Sequence, residues 1–178
     1  MSEETDVETR FRGRVVTVNV ETVTLPNGAR DRLDIVRHPG GASVVALDAN
    51  DRVCMLRQYR HAAGGWIWEL PAGKLEPKEP ALKTAQRELI EEAGFEGSDW
   101  VSLGDYVSSP GVFTETVKLF MAQGLTPSKM AHEAAELIEV HWVPIEEACR
   151  RAVAGELNDG KSALGLLRAQ ARLAEGTR

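Results

Sequence analysis

GKLEPKEPALKTAQRELIEEAGF, residues 73–95, decides how the rest of the chain is read. Pro80 suits a first helical position, Leu82, Ala85, Leu89 and Ala93 recur at helical spacing, and Gly94 is a C-terminal stop, so a helix is predicted over Pro80–Ala93. On it Glu88 and Glu92 stand four apart and Glu88 and Glu91 three apart, on a surface opposite the apolar residues. Like charges so placed repel. A divalent cation between them offsets that repulsion, because hard cations such as Mg²⁺ take carboxylate oxygens and share a substrate's phosphates. Arg87, four residues before Glu91, is placed to hold that carboxylate. A glutamate-rich helix is also the ordinary form of a solvated face, so the cluster alone leaves both readings open.

Strands are expected on both sides of this segment. Residues 14–24 alternate apolar and polar with many β-branched side chains, Asn27-Gly28 signals a hairpin turn, and a return strand is expected over 32–36. Further strands are expected over 42–47, 53–58, 103–108, 116–121 and 138–143, and helices over 145–153 and 161–173. Strands first, one acidic helix in the middle and helices at the end give an α+β class. The 178 residues, 43 % hydrophobic, suffice for one good core with a small accessory layer. The expected division is residues 1–38 as N-terminal β strands and 39–178 as the main domain.

The net charge of -6 argues against nucleic acid as a partner. No apolar run reaches the ~18 residues of a membrane span. The N-terminus MSEETDVETR lacks the features of a secretory signal or transit peptide, and Cys54 and Cys149 are too few and too far apart for a disulfide framework or zinc site. A cytoplasmic protein with reduced thiols is expected.

Gly73, Glu79 after five residues, and after seven more Arg87-Glu88-Leu89-Ile90-Glu91-Glu92-Ala93-Gly94-Phe95, match every fixed position of the signature of the Nudix hydrolases, which the chain resembles. A chance match at these positions is on the order of one in 10⁸ windows. The resemblance implies a Nudix α/β/α sandwich around a mixed sheet with an N-terminal β-hairpin layer, Mg²⁺ or Mn²⁺ as cofactor, and hydrolysis of a nucleoside diphosphate linked to another group. By matching position it makes Glu88 and Glu92 metal ligands, Glu91 a ligand or water-orienting base, Arg87 the residue that fixes the carboxylates, and the Ala72 carbonyl a further ligand.

RQYRHAAGGWIWELPAGKLE, residues 57–76, and SSPGVFTET, residues 108–116, are similar to the ADP-ribose pyrophosphatase and nucleoside diphosphate sugar branch, and Pro110 stands about fifteen residues past the signature, as in enzymes acting on ADP-ribose. Arg57 and Arg60 are candidate diphosphate ligands. Tyr59, Trp66 and Trp68 offer faces to a purine or pack in the core, and Glu69 accepts from a ribose hydroxyl or caps the loop. The branch often carries Asp-Glu-x-Glu before the last strand. Here Glu136 keeps one carboxylate while Ala134 replaces another, so the general base stays open among Glu91, Glu133, Glu136 and Glu115. The resemblance also implies a homodimer through the N-terminal strands. A nucleotide-sugar sensor without turnover, and a house-cleaning hydrolase acting on other nucleotides, are the competing readings.

Overall fold

The computed structural model describes residues 6–131 and 136–176. It divides into two compact units, one formed by the chain up to Gly40 with Val107–Thr116, the other by Gly41–Tyr106 and the chain from Val117 onward.

The first unit is an antiparallel meander of β1 (Asp6–Arg12), β2 (Thr17–Thr24) and β3 (Arg30–Arg37). Leu25 and Ala29 close the β2–β3 turn, and Gly28 takes the left-handed conformation that the Asn-Gly signal requires. β1 was not expected. It is exposed along its whole length, so it carries no inward-facing apolar alternation to read. Beneath the meander Glu21 is buried and held by Arg37 Nε at 2.8 Å and by Asn19 Nδ2 at 3.1 Å. From the 107–116 segment, Val112 O accepts from the Val36 N–H at 2.7 Å.

In the second unit β4 (Gly41–Ala46), β5 (Arg52–Arg60), β6 (Gly65–Glu69), β7 (Ala72–Lys74), the short β8 (Phe95–Glu96), β9 (Asp99–Val107), β10 (Thr116–Gln123), the short β11 (Thr126–Pro127) and β12 (Ile138–Pro144) form the sheets. The strand order is β7-β4-β10-β9 in one sheet and β12-β5-β6 in another. β4 and β10 run parallel, whereas β7 pairs antiparallel with β4, so the sheet is mixed. The helices are α1 (Ala81–Glu88), which continues into a π-helical turn over Leu89–Ala93, α2 (Ile145–Val153) and α3 (Gly160–Gly176).

Alternation along β4 explains the layers. Val44 and Ala46, with Cys54 and Leu56 of β5, pack against Leu89 and Ala93 of the π-turn. Val45 and Leu47, with Val53 and Met55, pack against Ile145, Ala148 and Cys149 of α2 and Leu166 and Ala169 of α3. Helices thus cover both faces of the strands, the α/β/α sandwich expected of the Nudix fold. Each fully buried Val or Leu in these clusters contributes about 1.5–3 kcal/mol. β6 and β7 were not expected as strands, because Gly64, Gly65 and Pro71 crowd them and break the alternating pattern. Among the described residues no helix is long and apolar enough to cross a membrane.

Candidate active site

The predicted helix is present, but its two faces are not divided as expected. Glu88 and Glu92 are buried beside Ala85, Leu89 and Ala93, Glu92 to 3 % exposure, while Leu82 is exposed. Two features produce this. With about 3.6 residues per turn Glu88 and Glu92 border Ala85 and Leu89 rather than oppose them, and β7 with its preceding loop covers the carboxylates. Gly94 ends the turn in the left-handed conformation, its N–H donating to Leu89 O and Ile90 O, so the expected stop stands where the sequence puts it.

Arg87 is the centre of the exposed side of the site. Its Nε and Nη2 donate to Glu79 at 3.2 Å each, its Nη1 donates to Glu88 Oε1 at 2.7 Å and to Glu91 Oε2 at 2.9 Å, and Nη2 also reaches Lys74 O at 3.3 Å. Thr84 Oγ1 adds a hydrogen bond to Glu79 at 2.8 Å. The Arg87 hydrogen bonds hold the Glu79 carboxyl down to about 2. One guanidinium therefore ties the loop after β7 to both α1 and the π-turn.

The buried carboxylates behave oppositely. Burial pushes Glu92 up to about 8, the Ala72 N–H that donates to its Oε2 at 2.8 Å opposing this, and the charges of Glu88 and Glu136 adding to it. Burial also raises Glu88 against the pull of Arg87, with Glu91 and Glu136 reinforcing the rise. Cys54 beneath them is pushed up to about 12, by burial and then by the charge of Glu92, and is inert as a thiol. Such crowding of carboxylates is what a cation relieves.

The donors fit a hard divalent ion. Glu88, Glu91 and Glu92 supply oxygen only, and Ala72 and Gly73 pass so near the helix that a Cβ on Gly73 would fall on the Glu88 carboxylate. Glycine is what leaves that space open. As the side chains stand, no three acidic, histidine or cysteine groups among the described residues converge on one point, since Arg87 and the Ala72 N–H hold the carboxylates.

Arg60 and Glu69 form a pair. Arg60 Nε and Nη2 donate to Glu69 Oε1 and Oε2 at 2.8 and 3.0 Å, and Lys161 Nζ, which the sequence reading missed, donates to Glu69 Oε2 at 2.7 Å. Burial opposes ionisation of Glu69, yet these hydrogen bonds and charges outweigh it and its carboxyl is lowered. Both Glu69 oxygens are thus already engaged. Arg57 lies over the Trp66 ring at 5.4 Å and 3.5 Å from Glu139 Oε2, and exposed Tyr59 meets Trp66 edge-on at 6.0 Å. Trp68 packs partly on the α2/α3 core and against His141. Pro110 and Glu115 belong to the first unit, where His38 Nδ1 is 3.5 Å from Glu115 Oε1. Glu133 lies outside the described residues.

The geometry is matched by likeness to known proteins. The chain is 37 % identical over 164 residues to the ADP-ribose pyrophosphatase of Mycobacterium tuberculosis (strain ATCC 25618 / H37Rv), covering 90 % of this chain and 79 % of that protein. It is 35 % identical over 158 residues to the ADP-ribose pyrophosphatase of Bacillus subtilis (strain 168), covering 88 % and 85 %. A crystal structure of an ADP compounds hydrolase has the same fold, with a TM-score of 0.82 at 23 % identity over 96 % of this chain and 93 % of that one. The NUDIX domain family matches residues 37–163, which contain the whole Glu79–Arg87–Glu88–Glu92 constellation, and the chain belongs to the Nudix hydrolase family.

Proposed function

We propose that this protein hydrolyses the pyrophosphate bond of ADP-ribose or a closely related nucleoside diphosphate sugar, with Mg²⁺ as its cofactor, giving a nucleoside monophosphate and a sugar phosphate. The observation that carries the reading is the pair of buried carboxylates, Glu88 packed against the backbone of Gly73 and Glu92 on the N–H of Ala72. The names of the Mycobacterium tuberculosis and Bacillus subtilis relatives support the substrate class.

Glu88, Glu91, Glu92 and the Ala72 carbonyl would hold the metal. When bound, it neutralises the diphosphate and makes water acidic enough to lose a proton near neutral pH. Arg87 orients Glu88 and Glu91, and Arg60, fixed by Glu69, turns its remaining N–H groups to a phosphate oxygen. Glu136, whose charge acts on both Glu88 and Glu92, takes the proton from the attacking water. The water oxygen bonds to phosphorus as the bridging P–O bond breaks in line, and the leaving phosphate carries away the electron pair. Arg57 and Tyr59 are assigned to the substrate.

Residues 1–38 are assigned to dimer formation and 39–178 to the catalytic domain. The exposed length of β1, with Val7 and Phe11 open on it, supports a homodimer, and a monomeric mass by light scattering would count against it. Two free, buried thiols support a cytoplasmic setting, and the acidic net charge supports a small-molecule rather than a nucleic-acid partner.

The test is turnover of a panel of nucleoside diphosphate sugars with Mg²⁺, both products identified, repeated with Glu92→Gln. Loss of turnover in that variant is expected. Binding of ADP-ribose by the parent without turnover under Mg²⁺ or Mn²⁺ would instead make it a sensor.

A further inference from the structure

Behind the Arg60–Glu69 pair lies a buried polar cluster at the start of α3. Lys161 Nζ bridges Glu69 Oε2 and Asp159 Oδ2, the latter at 2.8 Å. Asp159 Oδ2 also accepts from the Ser162 backbone N–H at 3.1 Å and from the Ser162 hydroxyl. Ser162, fully buried, in turn accepts from the Leu70 N–H at 2.8 Å. Glu69 is buried and Lys161 and Asp159 are largely covered, while Arg60 keeps 42 % of its side chain exposed, so the covered charges are neutralised within the cluster, an arrangement no more stabilising than an apolar core of equal volume. Its value lies in orientation.

What it orients is the strip of chain from Glu69 to Ala72. Leu70 N–H is fixed by Ser162 of α3, Pro71 O accepts from the Val44 N–H at 2.9 Å and from Ser43 Oγ at 3.1 Å, and Ala72 N–H donates to Glu92. Without the α3 anchors the strip keeps Arg60 and the β5 ladder at Glu69, β4 at Pro71 and Glu92 at Ala72, but Leu70 loses the partner of its N–H.

We infer that Lys161 and Ser162 are positioning residues for the metal loop, so that the first turn of α3 sets how tightly the Ala72/Glu88/Glu92 site holds its ion. The inference rests on the reading of that site given under Proposed function. Groups that orient a ligand-bearing segment from behind are typically worth about 10–100-fold in metal affinity.

The experiment measures Mn²⁺ affinity of the metal-free full-length protein by electron paramagnetic resonance and titration calorimetry, for the parent, Lys161→Met, Ser162→Ala, Lys161→Arg and Arg168→Met. Lys161→Met and Ser162→Ala are expected to weaken Mn²⁺ binding roughly 10–100-fold. Their kcat should return towards the parent value at saturating metal, and Lys161→Arg should recover part of the affinity. Arg168 lies on the same helix but donates to Leu103 O and Asp105 O, so Arg168→Met should lower the melting temperature without changing Mn²⁺ affinity. Unchanged affinity in Lys161→Met and Ser162→Ala, or equal weakening in Arg168→Met, would reduce the cluster to a fold element and overturn the inference. If Lys161→Met does not fold, Ser162→Ala decides alone. A parent that binds no Mn²⁺ and turns over no substrate would remove the functional reading instead, and the inference with it.

Discussion

The α-carbon of Gly73 lies so close to Glu88 that any side chain there would meet the Glu88 carboxylate head on. Loop and helix are therefore fitted to one another at the point where an ion would sit, and the fit tolerates no added methyl group. Gly73→Ala should displace Glu88 and weaken Mn²⁺ binding and kcat/KM by roughly 10–100-fold, while the fold persists. Calorimetric titration beside circular dichroism separates the two effects.

Proton and metal should compete at Glu92. In the metal-free protein burial raises this carboxyl to about 8, so metal affinity should climb as pH rises through that value and uptake should release protons, which titrations in buffers of different ionisation enthalpy count. The stability consequence has a definite sign. A carboxyl raised in the folded state stabilises the fold fully below its ordinary value of 4.5, and that contribution is lost as pH rises through about 8. The melting temperature of the metal-free protein should accordingly fall over that window, Mg²⁺ should abolish the slope, and Glu92→Gln should be more stable than the parent at pH of about 8. A flat profile for the metal-free parent would contradict the assignment.

Arg87→Lys retains the charge and loses the fork. A lysine offers one point of attachment where Arg87 serves Glu79, Glu88, Glu91 and Lys74 O together. Turnover should drop about 10–100-fold, and the Glu79 carboxyl, held near 2 by Arg87, should move back towards the ordinary range. Carboxyl titration by NMR reads the second effect independently of activity.

Leu166→Ala tests the opposite layer. Leu166 is wholly buried between the strands and α2, so truncation should cost about 2–5 kcal/mol and lower the melting temperature by about 4–20 °C.

How much of this was legible in the sequence varies with the range of the interaction. Elements with strong local signals were readable: the Asn27-Gly28 turn, the apolar run of β4, and the helix bounded by Pro80 and Gly94. Burial of Glu88 and Glu92 was not, because a charged residue beside an apolar stripe reads as solvated until β7 is known to cover it. Lys161 and Ser162 stand 92 residues from their partners Glu69 and Leu70, and nothing local marks a lysine as buried. The Asp159-Gly160 step before an apolar helix did carry an N-cap signal, which would have placed Ser162 against Asp159 but not against Leu70. The chemistry of Glu79, Arg87, Glu88 and Glu92 was legible only as a family pattern, since spacing alone allows a surface helix.

The π-turn limits how the signature can be transplanted. Because the winding loosens between Leu89 and Ala93, the same letters placed on a regular helix would aim Glu92 along a different azimuth from the one that meets Ala72. An engineer who grafts the motif onto another scaffold must carry over the local unwinding as well as the residues, or will obtain a correct spelling with a misdirected carboxylate.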